Sequence, residues 1–168
     1  MVTEFALLEG VVENHIDGGL LKYFTSHVAS LVDLVPEDVE AGPHLCYGDP
    51  GHKHFCEPAD IGHLVTVSNG VSVKAGRPIA WIHMSVPRDP GDAAYYAPLT
   101  GLTLQDTTEL YLGLVHHTGA QAGTEKRIAA AQSARDHFGI ATECGLARRD
   151  RDTTSGINAQ HAYLSDTA

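Results

Sequence analysis

Between residues 20 and 35 the apolar side chains Leu20, Leu21, Phe24, Val28, Leu31, Val32 and Val35 recur about every 3.6 positions, which predicts an amphipathic helix over 20–34 that Pro36 stops. Residues 39–47 are short and mostly apolar and read as a strand, followed by Gly48-Asp49-Pro50-Gly51, a cluster with turn chemistry. A helical pattern begins at Pro58 and runs through Ile61, Leu64, Val65, Val67 and Val71, with Gly76 suited to its C-terminal stop. Strands are expected at 79–84, 109–115 and 139–143. Helices are expected at 93–104, at 123–137, where Ile128, Ala131 and Ala134 share a face, and at 154–164. Residues 2–8 are also strand-like.

Strands that are apolar throughout and alternate with helices predict an α/β protein whose parallel sheet is covered by helices. About four and a half strand–helix units are present, without an internal repeat or low-complexity segment. A complete eight-stranded (β/α) barrel takes roughly 250 residues. At 168 residues the chain is expected to form one domain, over 1–168, with the architecture of half a TIM-like barrel.

Eleven Lys and Arg stand against 21 Asp and Glu, a net charge of −10 with histidine neutral, which argues against a phosphate-backbone surface and so against nucleic acid as a partner. No apolar run is long enough to cross a bilayer, and glutamates occupy the first residues where a signal peptide carries positive charge, so a cytoplasmic protein with no membrane partner is expected. Three cysteines cannot all pair, and in a reducing compartment they are ligands, catalytic groups or buried small apolar residues. Histidine is abundant, at 11 residues.

The polar residues that interrupt the predicted strands fall near their C-terminal ends: His44 and Cys46 in PHLCYGD, His83 in AWIHMS, His116 and His117 in LVHHTG, and Cys144 in TECGLARR. That end is where sites form in parallel α/β folds. The period of two puts His44 and Cys46 on one strand face, where an imidazole and a thiolate can meet one ion, and Cys144 and His83 would complete a Cys2His2 set. His-x-Cys alone equally fits a packed thiol and a hydrogen-bonded core histidine.

HLCYGD taken together with ATECGLARR resembles the C-terminal catalytic barrel of cobalamin-independent methionine synthases, whose segments carry a His-x-Cys-Tyr pair and a Cys-Gly-Leu-x-x-Arg motif. VTEFALLEG resembles the family strand Ile-Asp-Glu-Pro-Ala-Leu-x-Glu-Gly through Glu4, Ala6, Leu7, Glu9 and Gly10. The matches extend from Met1 to about Arg149 and correspond to the second half of the family's barrel. The resemblance implies that His44, Cys46 and Cys144 are zinc ligands, with His83 standing where the family has a ligand glutamate. It also implies that His117, with His116 beside it, moves a proton near the substrate. Thr3 replaces a substrate-holding aspartate, and Val115 replaces the acidic residue two positions before the histidine.

The activity so implied is a methyltransferase of methionine biosynthesis. A small thiol, homocysteine or an analogue, becomes a zinc thiolate and takes a methyl group from a folate-type co-substrate. Glu4, Asp49 and Arg148 are candidates for substrate contacts. Asp49 alternatively makes an Asx turn or orients a ligand histidine, and Arg148 with Arg149 clamps a carboxylate or forms a solvated surface. His52 and His54 are expected to face solvent, Cys56 to stay outside the metal set, and Glu143 to be a buried or capping carboxylate. Half a barrel leaves open edges and an uncovered interior, so a homo-oligomer or a partner chain supplying the missing half is expected. The alternatives are a catalytically inactive half-barrel fragment or subunit, and a divergent enzyme of the wider superfamily, which also holds the uroporphyrinogen decarboxylases, acting on another small thiol or acid.

Overall fold

A computed structural model describes residues 4–48, 54, 56–89 and 92–167. In chain order the elements are α1 (Glu4–Leu8), α2 (Leu20–Asp33), β1 (His44–Leu45), α3 (Gly62–Lys74), β2 (Trp81–Ser85), α4 (Ala93–Tyr96), β3 (Glu109–Val115), α5 (Ala120–Gln132), β4 (Gly139–Thr142) and α6 (Arg151–Thr167). One turn of 3-10 helix follows α4, and another precedes α6. The four strands form a single sheet in the order β1-β2-β3-β4, and every pairing is parallel. Parallel neighbours need crossover connections, and the intervening helices supply them.

The two faces of the sheet have different surroundings. Leu45, Ile82, Met84, Leu110, Leu112 and Leu114 point to one side and join Val28 and Val32 of α2, Leu64 and Val71 of α3, Tyr96 of α4 and Ala131 of α5 in one apolar core. Of the alternate positions, Trp81, His83 and Tyr111 are half-buried and His44 and Glu109 are exposed, whereas Ser85 and Val115 at the C-terminal ends are buried. Trp81, His83 and Tyr111 instead border an open groove of about 580 Å³ together with His44, Ala141, Thr142, Cys144 and Gly145.

The alternation of parallel strands and helices agrees with the sequence, while the N-terminus differs from it. Residues 4–8 form helix α1 rather than a strand. Glu, Ala and Leu are strong helix formers, and the consecutive residues Phe5 and Ala6 are both buried, which a strand with its period of two does not allow on a one-sided sheet. The Phe5 ring meets Tyr47 edge-on at 5.4 Å, so α1 packs beside the C-terminal end of β1. The sheet therefore has four strands and no fifth among the described residues.

β1 is also shorter than the apolar run over 39–47. Arg77 takes the carbonyl oxygens of Val35, Pro36 and Val39, which fixes that segment as a loop. Pro43 has no N–H to give the sheet, although its carbonyl still accepts from His83 and that of Ala41 from Ala80. α3 starts at Gly62, four residues beyond the Pro58 start, directly after an Asx turn in which the Asp60 carboxylate accepts from the Gly62 N–H at 2.7 Å.

Candidate metal centre

His44 lies on β1, and Cys46 comes two residues later, immediately after it. Cys144 lies two residues beyond the end of β4. The approach of β4 to β3 is close there: a Cβ on Gly113 would lie 2.9 Å from Glu143 Cα and 3.0 Å from the Thr142 carbonyl. Glycine at 113 lets the end of β4 rest against β3, at the register irregularity between Leu112 and Val115.

The result is a convergence of three donors. Cys46 Sγ and Cys144 Sγ are 3.4 Å apart, Cys144 Sγ is 3.5 Å from His44 Nε2, and all three donor atoms fall within 4.8 Å of one another. A tetrahedral zinc ion with ordinary bond lengths separates two sulfurs by about 3.8 Å and a sulfur from a nitrogen by about 3.6 Å. The donor set and its spacing fit zinc, with small adjustments. Cys46 is buried and Cys144 half-buried, while His44 is exposed, and His44 and Cys144 line the groove. No disulfide joins Cys46 to Cys144. The hydrogen bond with Cys46 pushes the Cys144 thiol up to about 12, with burial adding and His44 opposing.

His83 is the cross-strand neighbour of His44, and its Nδ1 lies 2.5 Å from the Nδ1 of His44, on the ring edge away from Cys144. It is therefore not one of the three convergent donors. Burial, and next the neighbouring His44, lower its pKa to about 4, against the opposing effect of the Thr142 backbone. Its Nε2 is buried and makes no hydrogen bond of ordinary geometry.

Behind Cys144, Glu143 meets one histidine and two arginines. Its Oε2 lies 2.9 Å from His116 Nδ1 and 3.4 Å from Arg88 Nε, and its Oε1 lies 2.5 Å from Arg149. Burial pushes this carboxyl up, but the hydrogen bond to His116 and the charges of His116, Arg88 and Arg149 outweigh it and hold the pKa at about 2. His116 is fully buried, and its Nε2 meets the Gly113 carbonyl at 2.9 Å. Arg127 extends the network from α5: it donates to the carbonyls of Leu114 and Arg88 and to the Thr124 hydroxyl. Sequence reasoning missed Arg88 and Arg127. The available signal was Arg127 itself, three residues after Thr124 and four before Ala131 on what proves to be the buried face of α5.

Of the other candidates, His117 is exposed at the C-terminal end of β3, one residue from the buried His116. Glu4 opens α1, and Arg148 closes the 3-10 turn that precedes α6. Asp49, His52 and Thr3 lie outside the described residues. His54 does not face solvent as expected: its side chain is only 5% exposed, set edge-on against Tyr47 at 5.6 Å and beside Glu57 at 3.7 Å. Cys56 stays apart from the three donors. Arg149 clamps a carboxylate, and that carboxylate is the chain's own Glu143.

The chain matches no model of a protein family, no curated protein and no solved structure. Among the described residues no helix is long and apolar enough to cross a membrane.

Proposed function

We propose that the protein is a zinc-dependent, methyltransferase-like protein related to the cobalamin-independent methionine synthases, acting on a small thiol such as homocysteine. The observation that carries this reading is the meeting of His44, Cys46 and Cys144, 100 and 98 residues apart along the chain, at the C-terminal end of a parallel sheet. Those three residues would hold the ion, which when bound lowers the pKa of a thiol in its open position so that sulfur is nucleophilic at neutral pH. In the proposed reaction the substrate sulfur would take the methyl carbon of a folate-type donor, the S–C bond forming as the C–N bond breaks, and the departing nitrogen would take the electron pair and a proton. His117, exposed at the end of β3, is suited to deliver that proton. His116 is committed to Glu143 and Gly113 and steadies the strand end beneath it. Glu4, Asp49 and Arg148 are the candidates for substrate contacts.

A second reading has one observation in its favour. The groove-bearing face of the sheet is half-open, whereas all-parallel sheets are normally covered on both faces. This favours a subunit of half-barrel form that needs a partner chain, and the activity would then belong to the assembly.

Metal analysis of the purified protein tests the site first. About one zinc per chain is expected, with most of it lost in Cys46→Ser and in Cys144→Ser while the circular dichroism spectrum stays unchanged. Methyl transfer from methyltetrahydrofolate to homocysteine tests the reaction. Metal-free protein with normal folding would overturn both.

A further inference from the structure

His83 stands beside the three donors without converging with them, and its contact with His44 has a specific geometry. The two Nδ1 atoms are 2.5 Å apart, the ring centres are 4.7 Å apart, and the ring planes differ by 19°. Adding the reach of each ring, about 1.2 Å from centre to nitrogen, to a gap of that length gives about 4.9 Å for two rings meeting head-on in one plane. The observed separation is close to that limit, so the nitrogens face one another along their lone-pair directions, and the rings are not laid over each other. A hydrogen bond needs that arrangement.

The same distance excludes an ion between the two nitrogens. Two imidazole nitrogens on a tetrahedral zinc lie about 3.3 Å apart, and closing them to the observed gap would pinch the angle at the metal to about 75°. The other nitrogen of His44, Nε2, is the one that faces Cys144 at 3.5 Å. His44 thus presents one edge to the thiols and the opposite edge to His83.

We infer that His83 is a positioning residue that fixes the ring of His44 from outside the ligand set. His44 donates its Nδ1–H to Nδ1 of His83, which commits the Nε2 lone pair of His44 to the metal, and His83 keeps its own proton on Nε2. This assignment rests on the zinc reading given above. It gives the protein an inverted use of a histidine: most ligand histidines are oriented by a carboxylate, a backbone carbonyl or a water. With a neutral ring as acceptor, a zinc ion and two thiolates sum to zero charge without a further anion behind them. The parallel register supports the role structurally, because pairing of His44 with His83 at the Cα level sets both rings on the same sheet face before any metal arrives.

The test is X-ray absorption on the zinc-loaded full chain, in which multiple scattering counts imidazole ligands, combined with zinc affinity from chelator competition. The expected count is one imidazole and two sulfurs in the wild type, and the same count in His83→Ala. Zinc affinity is expected to fall 10- to 100-fold in His83→Ala and to recover in large part in His83→Asn, whose amide oxygen accepts the same proton. Two imidazoles in the wild type, dropping to one on substitution of His83, would make it a ligand and overturn the inference while leaving the zinc site intact. Unchanged affinity in a folded His83→Ala would also overturn it. A wild-type chain that binds no zinc overturns the site itself, and this assignment with it. Should His83→Ala fail to fold, the imidazole count of His83→Asn decides: one supports positioning, and a loss from two to one overturns it.

Discussion

Glu143 is only 5% exposed along its side chain, yet it carries a full charge, because His116, Arg88 and Arg149 surround it with hydrogen bonds and positive charge. Its carboxyl is held at about 2 against an ordinary 4.5, so the unfolded chain takes up the proton more readily than the folded one. The stabilisation from this group is therefore complete above about pH 5 and is lost as the pH falls through the folded value, a difference of about 3 kcal/mol. Glu143→Gln is expected to destabilise the protein by about 3 kcal/mol at pH 7, and urea unfolding at pH 7 and at pH 3 should show the gap to wild type narrowing at the lower pH. A gap that stays constant would locate the acid sensitivity elsewhere. The opposite proton traffic applies to Cys144. Its thiol sits at about 12 without a metal, so binding must release a proton, and zinc affinity is expected to rise with pH by up to about tenfold per unit for each thiol proton released. Proton release measured by calorimetry in two buffers of different ionisation enthalpy checks this directly.

Gly113 shows how one strand's composition governs its neighbour. An added Cβ there would press on the Glu143 and Thr142 backbone, which cannot rotate away. At Gly139 the obstacle is the ring of Tyr111, a half-buried side chain that can move. Gly113→Ala is thus expected to cost about 1–3 kcal/mol, to weaken zinc binding through displacement of Cys144, and to speed hydrogen exchange in β4, whereas Gly139→Ala should leave zinc binding nearly unchanged. The same contrast between local and distant causes explains what could be read from the sequence. β3 and α2 were legible because their apolar periods are long and unbroken, and the two cysteines and His44 were legible because they interrupt strand ends where polar residues are out of place. β1 was overextended because the Arg77 guanidinium that diverts residues 35–39 comes from about 40 positions downstream. Residues 2–8 read as a strand because a short apolar-rich segment suits either state, and the helix propensity of Glu, Ala and Leu together with the packing of Phe5 against Tyr47 decides for helix over Glu4–Leu8. The side of His44 on which His83 stands depends on strand register, which no spacing within either segment encodes.

Among the described residues, four parallel strands in sequential order, with an apolar core on one side and an open groove on the other, make a sheet whose outer strands are β1 and β4. Trp81 and Tyr111 lie on that face, and the groove they border reaches His44 and Cys144, two of the three converging donors. The sheet itself therefore supplies a reason for association: covering this face would bury aromatic surface and bring the fold nearer to the two-sided environment that parallel sheets ordinarily have. Opposing this is the net charge of −10, which makes like chains repel. The two effects respond differently to salt, since screening weakens the repulsion and leaves the apolar contribution in place. Light scattering is accordingly expected to give at least twice the chain mass, with the associated fraction increasing between low and high salt. Replacing Tyr111 by Lys should reduce that fraction at every salt concentration while leaving zinc content unchanged, because Tyr111 is not among the converging donors. A monomer under all these conditions would mean that the open face is stable against water by itself, and the reading of the chain as a subunit in need of a partner would fall, leaving the metal-centre reading to stand on its own evidence.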